Sequence, residues 1–166
     1  MQLYTDTNYT MSEVELILLN SNDKCTVYTI QFVKDDQHEF DKFVSKFRDD
    51  TELNADYRAI IRFIEQIVEF GALERYFRRE GAVRDSVAAL PVLKSKLRLY
   101  CLRLSYKMLI LGNGGEKKTR TYQQDPDLQC YVVTLQKFEE LLKESVNDGS
   151  VVITENSIET DKTFEL

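Results

Sequence analysis

The chain has 166 residues, 43% of them hydrophobic and 30% charged, with a net charge of −6 at pH 7. That balance excludes a disordered or fibrous chain, and the length suits one domain that buries a core without metal or disulfide staples. No run approaches the roughly 18 uninterrupted apolar residues of a membrane span, so the expectation is a soluble protein with no membrane partner. The start, Met1-Gln2-Leu3-Tyr4-Thr5-Asp6, lacks a basic and then apolar leader, and a cytoplasmic location is expected. Cys25, Cys101 and Cys130 are odd in number, far apart and without a C-x-x-C pair, which points to reduced thiols rather than a disulfide framework.

In chain order, Val14 to Leu19 is an apolar run that fits either a strand or a helix start. Cys25 to Val33 is rich in β-branched and aromatic residues, the composition of a strand. Asp35 and Asp36 are candidate N-caps for a helix whose Phe40, Phe43, Val44 and Phe47 recur at three and four. A second helix starts near Asn54 or Ala55, carries the stripe Ile60, Ile61, Phe63, Ile64, Ile67, Val68 and Phe70, and stops at Gly71. Leu73 to Gly81 and Val87 to Pro91 read as a surface connection. Lys96 to Leu104 alternates as a strand, with Leu97, Leu99 and Cys101 on one face and Arg98, Tyr100, Leu102 and Leu104 on the other.

Ser105-Tyr106-Lys107 is too short for a crossover, so the apolar strand Met108–Leu111 must pair antiparallel with its predecessor. Gly112-Asn113-Gly114-Gly115 reads as a tight turn, and Glu116 to Tyr122 as a further basic strand. Asp125 and Pro126 open a last helix whose Leu128, Tyr131, Val132, Leu135, Phe138, Leu141 and Leu142 form one stripe, ended by Asn147-Asp148-Gly149. In the tail, Val151-Val152-Ile153 is expected to pair with an open sheet edge and carry an acidic end of local charge −4 toward the basic segment. A solvated terminus is the alternative.

The charge is unevenly placed. From Ala72 to Tyr122, twelve Lys and Arg stand against four acids, a local +8, while the rest of the chain carries −14. Such asymmetry points to a polyanionic partner on one face, unless the acidic remainder folds against it. The only histidine, His38, has no evident partner and no carboxylate spacing for zinc, so neither a metal site nor a His-activated nucleophile is expected. Gly112 to Thr119 is not a P-loop, since Lys117 stands where the second glycine belongs. What remains is a basic, tyrosine-bearing sheet, and those residue types suit RNA: cations hold phosphates, and an acid and a base assist attack by the 2′-OH.

Lys96-Leu97-Arg98-Leu99-Tyr100-Cys101-Leu102-Arg103, then Met108-Leu109-Ile110-Leu111, then Gly115-Glu116-Lys117-Lys118-Thr119, resembles toxins of the RelE/ParE superfamily, in particular the phage-derived HigB-like branch. Phe77-Arg78-Arg79-Glu80-Gly81 and Ala89-Leu90-Pro91 resemble the segment that leads into their sheet. The resemblance covers roughly residues 72–145 and, in element order, 25–70. It implies an α+β fold: a RelE-like small antiparallel curved sheet with helices on one side, two N-terminal helices and a closing C-terminal helix. On that basis 1–24 is an N-terminal extension, 25–147 the RelE-like domain and 148–166 an acidic C-terminal tail.

The implied activity is metal-independent, ribosome-dependent cleavage of mRNA in a type II toxin-antitoxin system, with no cofactor and with a cognate antitoxin as protein partner. The alternatives are a non-catalytic RelE-fold binding protein and an unrelated α+β interaction domain. Arg98, Lys117 and Lys118 match motif positions, and Arg120 and Tyr122 join them by residue type as candidate catalytic residues. Arg78, Arg79, Arg84, Tyr100 and Arg103 are the candidate RNA-binding residues. The chain departs from the pattern in its net acidity, its extra length at both ends and the lack of a terminal tyrosine or histidine.

Overall fold

Central strands that are apolar on both sides require two covered faces, and the computed structural model, which describes residues 12–81 and 85–166, has them. Strands β1 (Glu13–Asn20) and β2 (Thr26–Phe32) form a hairpin, followed by helices α1 (Glu39–Phe47) and α2 (Asn54–Phe70). Then come β3 (Arg78–Arg79), β4 (Val87–Leu90), β5 (Leu97–Ser105), β6 (Met108–Glu116) and helix α3 (Pro126–Asn147). The tail adds β7 (Val152–Ile153), β8 (Ile158–Glu159) and β9 (Phe164–Glu165). The main sheet runs β3-β4-β5-β6-β2-β1-β9, antiparallel at every pairing except β2 with β6. The chain is thus α+β with a mostly antiparallel sheet.

One face packs Val27, Leu97, Leu99, Cys101, Leu109 and Leu111 against Phe43, Phe47, Tyr57, Ile60 and Ile67 of α1 and α2. The other packs Tyr28, Ile30, Tyr100, Leu102 and Ile110 against Leu128, Val132, Leu135, Phe138 and Leu142 of α3. Because β5 and β6 are apolar on both sides, helices on one side alone would leave half of each strand in water. This corrects the one-sided arrangement. The two helices also follow two strands rather than opening the fold.

Several local expectations hold. The strand from Cys25 splits as alternation predicts, with Cys25 and Val27 in the first core and Tyr28 and Ile30 in the second. α2 ends at Gly71, whose φ of 104° suits glycine. Asp125 caps α3 by accepting from the N–H groups of Asp127 and Leu128. The ambiguous run after Val14 is strand β1.

Others are corrected. His38, not Asp35 or Asp36, caps α1: its Nδ1 accepts from the Asp41 N–H at 3.0 Å. The supposed surface connection contains β3 and β4, and Val87–Leu90 is buried throughout, because four small or apolar residues complete the sheet beside β5. Gly112–Gly115 is no turn; β6 continues through it to Glu116. At Gly114 the reason is close approach, since a Cβ there would lie 1.9 Å from the Arg98 carbonyl oxygen. Glu116 to Tyr122 does not resume as a strand but leads into a short 3-10 turn at Tyr122–Gln124.

The tail is also corrected. Val152-Ile153 pairs with Ile158-Glu159, not with the main sheet, and it is Phe164-Glu165 that joins the edge, against Val14 and Glu13. Val151, Ile158 and Phe164 are buried in the α3-side core, with the Phe164 ring edge-on to Phe138 at 5.0 Å. In the sheet order this edge lies at the opposite end from β3 and β4, and the tail meets the basic segment instead at the turn after β5, where Glu155 pairs with Lys107 at 2.9 Å.

Candidate nucleic-acid site

The register of β3, β4 and β5 decides which basic residues meet. Arg78 pairs with Ala89 and Ala89 with Tyr100, whereas Arg79 pairs with Ala88 and Ala88 with Cys101. Residues directly opposite across a ladder share a face. Arg78, Glu80, Arg98 and Tyr100 therefore lie on the α3 side, and Arg79 and Arg103 on the α1/α2 side. Lys117 reaches the first group from the end of β6, where its N–H donates to the Lys96 carbonyl. Tyr122 reaches it from the 3-10 turn before α3, its ring edge-on to Tyr100 at 6.4 Å.

Arg98 is the most constrained member. It is 4% exposed, and its Nη1 donates to the carbonyls of Ser95 at 2.5 Å and Leu97 at 2.9 Å. Its Nε is buried without a partner. Burial, with Arg78 nearby, lowers the guanidinium from its ordinary value. A planar cation held by two carbonyls with a donor left over suits a phosphate or a developing oxyanion.

Glu80, absent from the sequence-derived candidates, lies on the same face as Arg78 and within electrostatic reach of Arg78, Arg98 and Lys117. Burial raises its carboxyl above the ordinary glutamate range, although Lys117, Arg98 and Arg78 all oppose the rise. A carboxyl raised by desolvation and within reach of three cations is a candidate general base. Its signal in the sequence was the alternation Arg78-x-Glu80, which puts an acid on the same face as the first arginine. Tyr100 and Tyr122 are both raised, chiefly by burial, with Glu80 contributing to each. Tyr100 is 1% exposed, so its ring supports Tyr122 and does not stack on a base.

The remaining candidates divide. Lys118 is exposed and pairs with Glu116 at 3.6 Å. Arg120 is exposed in the same loop, and its N–H donates to Gln124 Oε1. Both flank the cluster rather than entering it. Arg103 is engaged on the other face, its Nε donating to the Ala72 carbonyl at 2.6 Å and its Nη1 lying 3.7 Å from Glu74. Arg79 is exposed on the same face as Arg103. Arg84 lies outside the described residues.

No family model, curated protein or solved structure matches the chain. Among the described residues, no helix is long and apolar enough to cross a membrane.

Proposed function

We propose that the chain is a RelE-like, HigB-type endoribonuclease that cuts mRNA on the ribosome without a metal and is held in check by an antitoxin protein. The observation that carries this reading is the register that puts Arg78, Glu80 and Arg98 on one face of the sheet, with Glu80 half-buried and within electrostatic reach of both arginines and of Lys117. The reaction needs that combination. Glu80 takes the proton from the 2′-OH, whose oxygen attacks the adjacent phosphorus. Arg98, Arg78 and Lys117 hold the charge that develops on the phosphoryl oxygens. The P–O5′ bond breaks, the leaving oxygen takes a proton from the Tyr122 hydroxyl or from water, and a 2′,3′-cyclic phosphate remains. Lys118 and Arg120 lie along the strand's path and hold it by charge.

One observation favours a second reading, a RelE-fold binding protein without nuclease activity. Arg98 and Tyr100 are nearly inaccessible, so a phosphate reaches Arg98 only if the side chains over it shift. Induced expression discriminates the two. The nuclease arrests growth and cuts mRNA within codons, and co-expression of the neighbouring reading frame relieves it. The binding protein leaves growth and mRNA intact while still retaining RNA at low salt.

A further inference from the structure

The far end of α3 carries a second feature that RNA cleavage does not use. A cavity of about 700 Å³ opens between the C-terminal half of α3, the β5–β6 turn and the β7–β8 hairpin, walled by Leu104, Met108, Leu142, Val146 and Ile153. Arg98 and Tyr106, which lines the cavity, are eight residue steps apart along and just past β5, roughly 25 Å at strand rise. The ion pair from Lys107 to Glu155, 2.9 Å long, ties the turn to the hairpin beside the opening. Such a volume with apolar walls is that of a small-molecule site.

Glu139 also lines this cavity and is 2% exposed. Its Oε1 accepts from the Ser86 N–H at 2.9 Å, and Oε2 has no hydrogen-bond partner. Lys143 is 3.6 Å from Oε1 but is 62% exposed at its side chain, so it does not saturate the carboxylate. A buried carboxylate with an oxygen left over is costly unless a donor reaches it. Val146 and Ile153 are also left partly exposed at the mouth, at 37% and 39%, apolar surface that a bound molecule would cover.

We propose that this cavity binds a small organic amine, its protonated nitrogen on Glu139 and its apolar body between α3 and the β7–β8 hairpin. The carboxylate selects for a cationic donor, and the five apolar walls select against a polar body. The size of the cavity and the depth of Glu139 favour a free molecule over a lysine of a docked protein. The inference does not rest on the nuclease reading.

The test is methyl-labelled NMR of the full chain titrated with n-hexylamine, 1-hexanol, hexanoate and a capped Ala-Lys-Ala peptide. The expected result is saturable shifts at Met108, Leu142 and Ile153, with hexylamine at least tenfold tighter than hexanol. Glu139→Gln, which keeps the acceptor for Ser86, should abolish that tenfold preference, and Arg98→Ala should leave it untouched. Val146→Trp, which fills the mouth without touching the carboxylate, serves if Glu139→Gln does not fold, and it should block every probe. Equal affinity for amine and alcohol, no saturable shift at millimolar probe, or tighter binding of the peptide than of any free amine would each overturn the proposal.

Discussion

Arg98 and Arg103 stand five residues apart on the same strand and have opposite fates. Arg103 faces α2, where its guanidinium meets the Ala72 carbonyl and the Glu74 carboxylate. Arg98 faces α3, held by two carbonyls but with Nε unpartnered and Glu80 within electrostatic reach. One cation is bound into the structure, and the other is positioned with capacity left over. A local charge of +8 therefore overstates any single charged surface, because the pleat divides it between two faces, each with an acid of its own, Glu74 beside Arg103 and Glu80 beside Arg78 and Arg98.

The contrast is broken most severely at Glu80. Glu80→Gln should reduce RNA cleavage about 10²–10⁴-fold, the usual contribution of a general base. Arg98→Ala should cost about 10²–10³-fold, as loss of an oxyanion donor does, while Arg103→Ala leaves the rate per folded molecule unchanged. Its effect should be on stability, about 1.5–3 kcal/mol for a charged hydrogen bond at a half-buried site, read by urea melts. Equal loss of cleavage in both arginine variants would erase the distinction between the faces.

Next in size is the tail. Phe164→Ala removes a ring buried against Phe138 and should destabilise the fold by about 3–5 kcal/mol. RNA affinity measured well below the melting temperature should not rise. A gain in affinity with little loss of stability would make the tail a shield after all.

The pH dependence sharpens the account of Glu80. Its folded carboxyl is raised above the unfolded value, mainly by desolvation. It therefore favours the folded state below its unfolded value, and that contribution is lost as pH rises through the folded one. Glu80→Gln should then match or exceed wild-type stability at pH 7–8, even as cleavage is lost. In the wild type, cleavage should rise with pH through a midpoint above the ordinary glutamate range, because the base must be ionised. The smallest effect is at Lys118, exposed and beside the cluster. Lys118→Ala should lower the salt slope of RNA binding by about one unit and change little else.

The regular elements were legible wherever one period dominated. α2, α3 and β5 carry stripes or alternation long enough to outweigh their neighbours, and their caps at Gly71 and Asp125 are local chemistry. Apart from the cap of α1, which is His38 rather than Asp35 or Asp36, the failures were non-local. Val87–Leu90 is too short to signal a strand until β5 lies beside it, and Gly112–Gly115 looks like a turn until the Arg98 carbonyl shows why Gly114 lacks a side chain. Phe164 gives no hint that it closes the sheet edge next to Val14, because that pairing spans the chain. Arg98 and Lys117, taken as candidates from motif positions, and Tyr122, taken by residue type, do come together on the α3 side of the sheet. Glu80 was not among the candidates because an acid among arginines reads as a surface ion pair until its face and burial are known.

The most direct test compares wild type with Glu80→Gln on ribosome-bound mRNA in the presence of a chelator. The account predicts that the wild type cuts, leaving 2′,3′-cyclic phosphate and 5′-hydroxyl ends, and that the folded Gln variant binds RNA but cuts at least a hundredfold more slowly. Equal cutting by the two proteins, or no cutting by the wild type at any pH from 6 to 9, would contradict it.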